Sequence, residues 1–166
     1  TCTETDYNAN REVAMRIIQG YPEAEKALEK VHTPNLKTIE EVARFLGVQQ
    51  HQTAKAVFYD SDEHGKPVIA VIRGDREICE PKLAKIIRAI PTPANDARIR
   101  GAGGVPGFAT PMGLDKSKWR IVVDSTVAAS NNIVTGANET DYHYKNFNLE
   151  RDLPGDEQHD LSMMAG

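Results

Sequence analysis

Cysteine is scarce in this chain. Cys2 and Cys79 are the only two, far apart and without paired-ligand spacing. That spacing argues against a disulfide framework or a cysteine metal site and leaves reduced thiols as the plain expectation. His32, His51, His64, His143 and His159 show no metal-ligand spacing either, so no metal is expected. Positive charge is not in excess, because the formal net charge is −4. A broad electrostatic surface for nucleic acid is therefore not expected, and an RNA partner would be held locally or by something outside this chain. No apolar run is long enough to span a membrane and none reads as a secretory leader, which points to a cytoplasmic protein without membrane contact. No serine or cysteine stands in a nucleophile elbow. Gly101-Ala102-Gly103-Gly104 is not followed by the Lys-Ser/Thr of a Walker loop. Internal repeats and low-complexity runs are also missing.

What is present is an ordinary globular composition, with 166 residues to build one core. The chain begins at Thr1 rather than Met, and a fragment of a longer polypeptide is expected. The stretch Thr53-Ala54-Lys55-Ala56-Val57-Phe58-Tyr59 reads as a short strand. Alternation puts Ala54, Ala56 and Phe58 on one face and Lys55, Val57 and Tyr59 on the other. Both faces are largely apolar, so an ammonium at position 55 loses hydration and needs compensation. The plain alternative is an edge-strand lysine whose amine reaches water.

Around this strand, Asn8 can cap a helix over 11–19 that ends at Gly20. A short charged helix or turn follows over 23–30, and Thr33-Pro34-Asn35 reads as an extended linker. Thr38-Ile39-Glu40-Glu41 is a capping box for a helix with Ile39, Val42, Ala43, Phe45 and Leu46 on one side. A charged hairpin loop over 60–66 leads to a second strand over 67–73. Glu80-Pro81 opens a helix with Leu83, Ala84, Ile86, Ile87 and Ile90 on its buried side, and Lys82, Lys85 and Arg88 form a basic stripe read as a solvated face. Residues 98–113 hold five glycines and two prolines, too many for regular ladders. Strands follow over 119–123, 133–135 and 142–149, with Asp124 as a helix cap between the first two. The interspersed elements point to a mixed α+β domain with a partly closed sheet.

Three features could carry chemistry: Lys55, the loop Gly107-Phe108-Ala109-Thr110-Pro111, and His143 between Tyr142 and Tyr144. The loop is either a plain turn or a place where a ligand approaches the main chain. A lone histidine between tyrosines is either a packed strand residue or a pocket residue.

The segments Thr5-Asp6-Tyr7-Asn8-Ala9-Asn10, Thr33-Pro34-Asn35 with Thr38-Ile39-Glu40-Glu41, Gln52-Thr53-Ala54-Lys55, Val71-Ile72-Arg73-Gly74-Asp75, 107–111 with Gly113-Leu114, Val123-Asp124-Ser125 with Ala128, and Gly136-Ala137-Asn138 running into Tyr142-His143-Tyr144 are similar, in this order, to a known family. The chain resembles the editing insertion domain of bacterial-type prolyl-tRNA synthetases, among the YbaK-like aminoacyl-tRNA deacylases. The resemblance implies an α+β fold with a mixed, partly closed barrel-like sheet flanked by helices. It implies an editing domain over 1–152 and a tail or linker toward the parent synthetase over 153–166. The implied activity is hydrolysis of the alanyl ester on the 3′ acceptor end of proline tRNA. The implied partners are that tRNA and the rest of the parent synthetase, itself expected to be a homodimer. The chain lacks class II synthetase motifs, so no cofactor is expected and ATP belongs to the parent's separate catalytic domain. The family's essential lysine falls on Lys55, its Gly-x-x-x-Pro loop on Gly107 to Pro111, and its pocket histidine on His143. The chain departs from the family's pattern before the loop, where Ala97-Arg98-Ile99-Arg100-Gly101 stands in place of an acidic segment.

On that basis Lys55, Gly107 and His143 are the expected catalytic residues. Phe108, Ala109, Thr110, Pro111, Thr53 and Gly136 are expected to bind substrate. Asp124 is a further candidate, with helix capping as its alternative role. Lys55 would hold the terminal ribose or phosphate and stabilise developing negative charge, and a water would attack. A non-hydrolytic module that binds the acceptor end, or an insertion that mainly supports the parent's fold, are the other readings.

Overall fold

β3 (Val68–Arg73) lies at the centre of the larger sheet, and all six of its residues are buried. The computed structural model describes residues 24–36, 38–60, 67–114, 119–153 and 157–162. β2 (Ala54–Asp60) runs antiparallel to β3, with Lys55 opposite Ile72. β4 (Thr92–Pro93) lies beyond β2, β5 (Arg120–Asp124) runs parallel to β3, and β8 (Glu157–His159) parallel to β5. The order is β4-β2-β3-β5-β8. A second sheet has the order β1-β7-β6, from Glu29–His32, Tyr142–Phe147 and Ile133–Gly136. The sheets meet at a parallel bridge between Thr53 and Val134.

Among the described residues neither sheet closes on itself, which corrects the expected barrel-like closure to two abutting open sheets in a mixed α+β fold. The alternation within β3 builds both faces. Ile69 and Val71 join Ala54, Phe58, Val123, Ile133 and Phe147 on one side. Val68, Ala70 and Ile72 join Tyr59, Val122, Leu83 and Leu161 on the other.

The helices keep most of their expected signals. α1 (Ile39–Leu46) opens on the capping box, with the Glu41 N–H donating to Thr38 Oγ1 at 3.2 Å and the Thr38 N–H to Glu41 Oε2 at 3.3 Å. It ends on Gly47 at φ 69°. Phe45, expected on the buried side, is 56% exposed. α2 (Glu80–Ile87) buries Leu83, whereas Ile90 lies beyond its end and is exposed. Lys82 is not a merely solvated charge, because it donates to Asp160 Oδ2 and the Ser162 carbonyl, each at 2.9 Å. α3 (Asp96–Gly101) forms inside the glycine-rich region, capped by Asn95. α4 (Ser125–Ala128) and α5 (Leu149–Asp152) are single turns.

Three further expectations change. The segment 23–30 was expected as a charged helix or turn, but Glu29–His32 forms strand β1 on β7. Residues 153–166 were expected as a tail, yet Leu161 is fully buried and Arg120 grips Glu157 of β8 through two hydrogen bonds of 2.6 and 2.8 Å. Cys79 is buried and disulfide-bonded rather than reduced, its partner lying outside the described residues. The expected helix over 11–19 and the loop residues 61–66 also lie outside them.

Candidate active site

Between β2, α1, the end of β6 and the 107–111 loop lies a cavity of about 420 Å³. Its lining includes Thr53, Lys55, Gly107, Ala109, Gly136 and His143, so six of the ten expected site residues meet on one hollow. Its location follows from strand chemistry. The Thr53 carbonyl accepts from the Gly74 N–H on the β3 side, and the Phe58 carbonyl accepts from the Ala94 N–H on the β4 side. Backbone groups alternate along a strand, so Ala56 turns its N–H and C=O away from β3. β4 pairs only with Tyr59 and Asp60, so the first half of β2 borders the cavity as an open edge.

Lys55 belongs to the lining. Its ammonium donates to Glu77 Oε1 at 3.1 Å, and its side chain is 27% exposed. The compensation a strand lysine needs is therefore an acidic partner twenty-two positions on, which no local pattern announced. Thr53 is fully buried, and its hydroxyl donates to the Gln50 carbonyl at 2.7 Å, leaving it a wall rather than a free donor.

The 107–111 loop is held from behind. Gly107 adopts φ 86°, a left-handed conformation that favours glycine. The Phe108 carbonyl accepts from the Asn138 N–H at 2.9 Å, and the Thr110 N–H donates to Asn138 Oδ1 at 2.9 Å. Asn138 Nδ2 donates in turn to the carbonyls of Thr110 and Met112. Gly136 lets β6 pass against the loop, because a Cβ there would lie 2.2 Å from the Phe108 carbonyl oxygen. Phe108, Thr110 and Pro111 are buried in this support and do not line the cavity.

His143 is 6% exposed, with its ring centroid 5.5 Å from that of Phe108. Its Nδ1 lies 2.6 Å from Thr33 Oγ1. Burial pushes its pKa down from 6.5 to about 4. Between those values the unfolded chain binds a proton that the folded ring refuses. Stability is therefore expected to fall as pH drops from 6.5 toward 4, and His143→Gln should flatten that slope. Urea unfolding at pH 7, 6 and 5 measures the difference.

Asp124 stands apart from the cavity. It is 1% exposed, and Oδ1 accepts from the Leu161 N–H at 2.7 Å. Oδ2 accepts from the Thr126 N–H and from the Thr126 hydroxyl. It is a helix cap and an anchor for the C-terminal segment. Asp124→Ala is expected to cost about 2–6 kcal/mol of stability, because it leaves the buried N–H groups of Leu161 and Thr126 without their acceptor at about 1–3 kcal/mol each. Chemical denaturation measures it, and the cavity should be unaltered.

Sequence reasoning passed over the apolar wall of α1. Ile39 and Val42 both line the cavity. The signal was available, because a capping box fixes the helix phase and i, i+3 residues share a face.

The aminoacyl-tRNA editing domain profile matches residues 33–153. The chain belongs to this editing-domain family. Parts of proline–tRNA ligases are similar to nearly the whole of this chain. That of Dehalococcoides mccartyi is 42% identical over 99% of this chain, and that of Bacillus subtilis 40% over 95%. The editing domain spans 28% of the length of each of these relatives. Among solved structures, a proposed trans-editing enzyme for prolyl tRNA synthetase superposes with a TM-score of 0.72 at 16% identity, covering 82% of this chain and 87% of that one. At that identity the match establishes the fold.

Proposed function

We propose that this editing domain is the insertion of a prolyl-tRNA synthetase and hydrolyses the ester that joins alanine to the terminal adenosine of proline tRNA. The observation that carries this reading is the meeting of Lys55, Gly107 and His143 on one cavity. Family membership and the similarity to proline–tRNA ligases support it.

In this reading a water attacks the ester carbonyl and the 3′ oxygen of the ribose leaves. The Lys55 ammonium holds the terminal ribose or phosphate and stabilises the charge that develops on the ester. Gly107 and Ala109 offer main chain to the ammonium of the bound alanine, and Gly107 has no side chain to hinder the approach. Proline, a secondary amine, has one donor fewer, and its ring meets a wall built of main chain rather than of adaptable side chains. Ile39 and Val42 close the pocket on the α1 side. The result is a second sieve: a synthetic site built for proline cannot strongly reject a smaller amino acid, because a missing methylene is worth only about 1–3 kcal/mol. With a net charge of −4, the domain would draw most of its tRNA affinity from the rest of the synthetase.

The test is release of free amino acid from alanyl-, cysteinyl- and prolyl-tRNA(Pro). Alanine released well above background, with prolyl-tRNA spared, is the expected result. No release from any ester would leave only a binding module, and equal release of proline would overturn the size selection.

A further inference from the structure

A buried hydroxyl has one proton to place. Thr33 is fully buried, and its Oγ1 meets no partner among the described residues other than His143 Nδ1, at 2.6 Å. If Nδ1 carried the ring proton, it would donate to Oγ1, and the hydroxyl proton would be left without an acceptor in a site closed to water. If the hydroxyl donates to Nδ1, every polar group is satisfied and the ring proton sits on Nε2. The hydroxyl is itself held in place, because the Thr33 N–H donates to the Asp141 carbonyl at 2.8 Å and the Leu36 N–H reaches the Thr33 carbonyl. β1 and β7 bring the two residues together, with Val31 opposite His143. His143 lines the cavity, and its Nε2 has no hydrogen-bond partner among the described residues.

We propose that Thr33 is a positioning residue that holds His143 as the Nε2–H tautomer, so that the ring presents a neutral hydrogen-bond donor to an oxygen of the cavity's occupant. The lowered pKa agrees, since the ring stays neutral near pH 7. The role follows from the tautomer. His143 cannot take a proton from water through an Nε2 that already bears one, so it is a donor to an oxygen acceptor and not a general base. The nature of that oxygen, the carbonyl of an aminoacyl ester, rests on the function proposed above. The tautomer does not.

The experiment is a long-range proton–nitrogen correlation spectrum of the 166-residue chain with ¹⁵N-labelled histidine at neutral pH. His143 is assigned as the signal lost in His143→Gln. The expected pattern is an acceptor-type shift at Nδ1 and a protonated-type shift at Nε2. Thr33→Val should move the ring toward the Nδ1–H form, and Thr33→Ser should restore the original pattern. In the alanyl-ester assay Thr33→Val should lower kcat about tenfold with little change in KM, the factor for weakening one neutral hydrogen bond, and Thr33→Ser should recover it. A wild-type ring protonated at Nδ1, or an imidazolium, would overturn the proposal, as would Thr33→Val leaving the shifts unchanged. Should no ester be hydrolysed while the nitrogen shifts follow the expected pattern, the proposed function fails and the tautomer assignment stands.

Discussion

Gly136→Ala is expected to lower alanyl-ester hydrolysis by roughly 10²-fold or more, although the residue bears no functional group. Its Cβ would stand 2.2 Å from the Phe108 carbonyl oxygen, 2.4 Å from the carbonyl carbon and 2.7 Å from the Ala109 carbonyl oxygen. All three are main-chain atoms, so no rotamer change relieves the clash. The loop must move away from β6, which strains the hydrogen bond from the Asn138 N–H to Phe108 and carries Gly107 and Ala109 with it. Those two residues form the main-chain wall of the cavity. A displacement near 1 Å is enough to misplace a bound ester. Overpacking should also cost about 1–3 kcal/mol of stability. Gly101→Ala is the control, because nothing lies within 4 Å of a Cβ there and the backbone is not left-handed. Paired denaturation and deacylation measurements on the two variants separate loop displacement from a general sensitivity to lost glycine.

Lys55→Ala should abolish hydrolysis to within background, a loss of roughly 10²–10³-fold or more, while leaving unfolding nearly unchanged. The asymmetry comes from where the ammonium sits. Its one ion pair among the described residues is with Glu77, whose side chain is 73% exposed. Such a pair contributes about 0–1 kcal/mol to stability, so its loss is barely visible in a melt. In the proposed reading the same charge would hold a phosphate of the substrate or stabilise its developing oxyanion. A Lys55→Ala variant with full hydrolytic activity would remove this residue from the chemistry. One that unfolds several degrees earlier would make it a structural residue after all.

Much of this arrangement was legible in the sequence where the physics is local. The capping box of Thr38 and Glu41 fixed the start and phase of α1, because both partners lie within one helical turn. The apolar alternation of β2 and β3 announced strands covered on both sides, and both faces do carry core clusters. Ten site residues were expected from the sequence and the family resemblance, and the fold brings six of them together on the cavity. What stayed hidden depends on distant partners. β1 is polar, with an EKVH sequence that acquires its strand identity only from pairing with β7 more than a hundred residues away. Residues 157–162 lack periodicity, yet Asp124 Oδ1 and Arg120 draw them into the sheet. Glu77 and Thr33 are ordinary residues in sequence, and only the fold places them on Lys55 and His143. The helix α3 went unread, although Asn95 caps it, because the glycines that follow argue against regular structure.

The most direct measurement is a structure of the chain with a 3′-alanylamino adenosine, in which an amide replaces the labile ester. The alanyl group is expected between Lys55 and the 107–111 loop, with its carbonyl oxygen facing His143 and its ammonium facing the Gly107 main chain. Alanyl density elsewhere, for instance in the hollow beside Met112 and Tyr144, or an analogue bound with the amino acid turned out to solvent, would contradict the placement of the chemistry at this cavity.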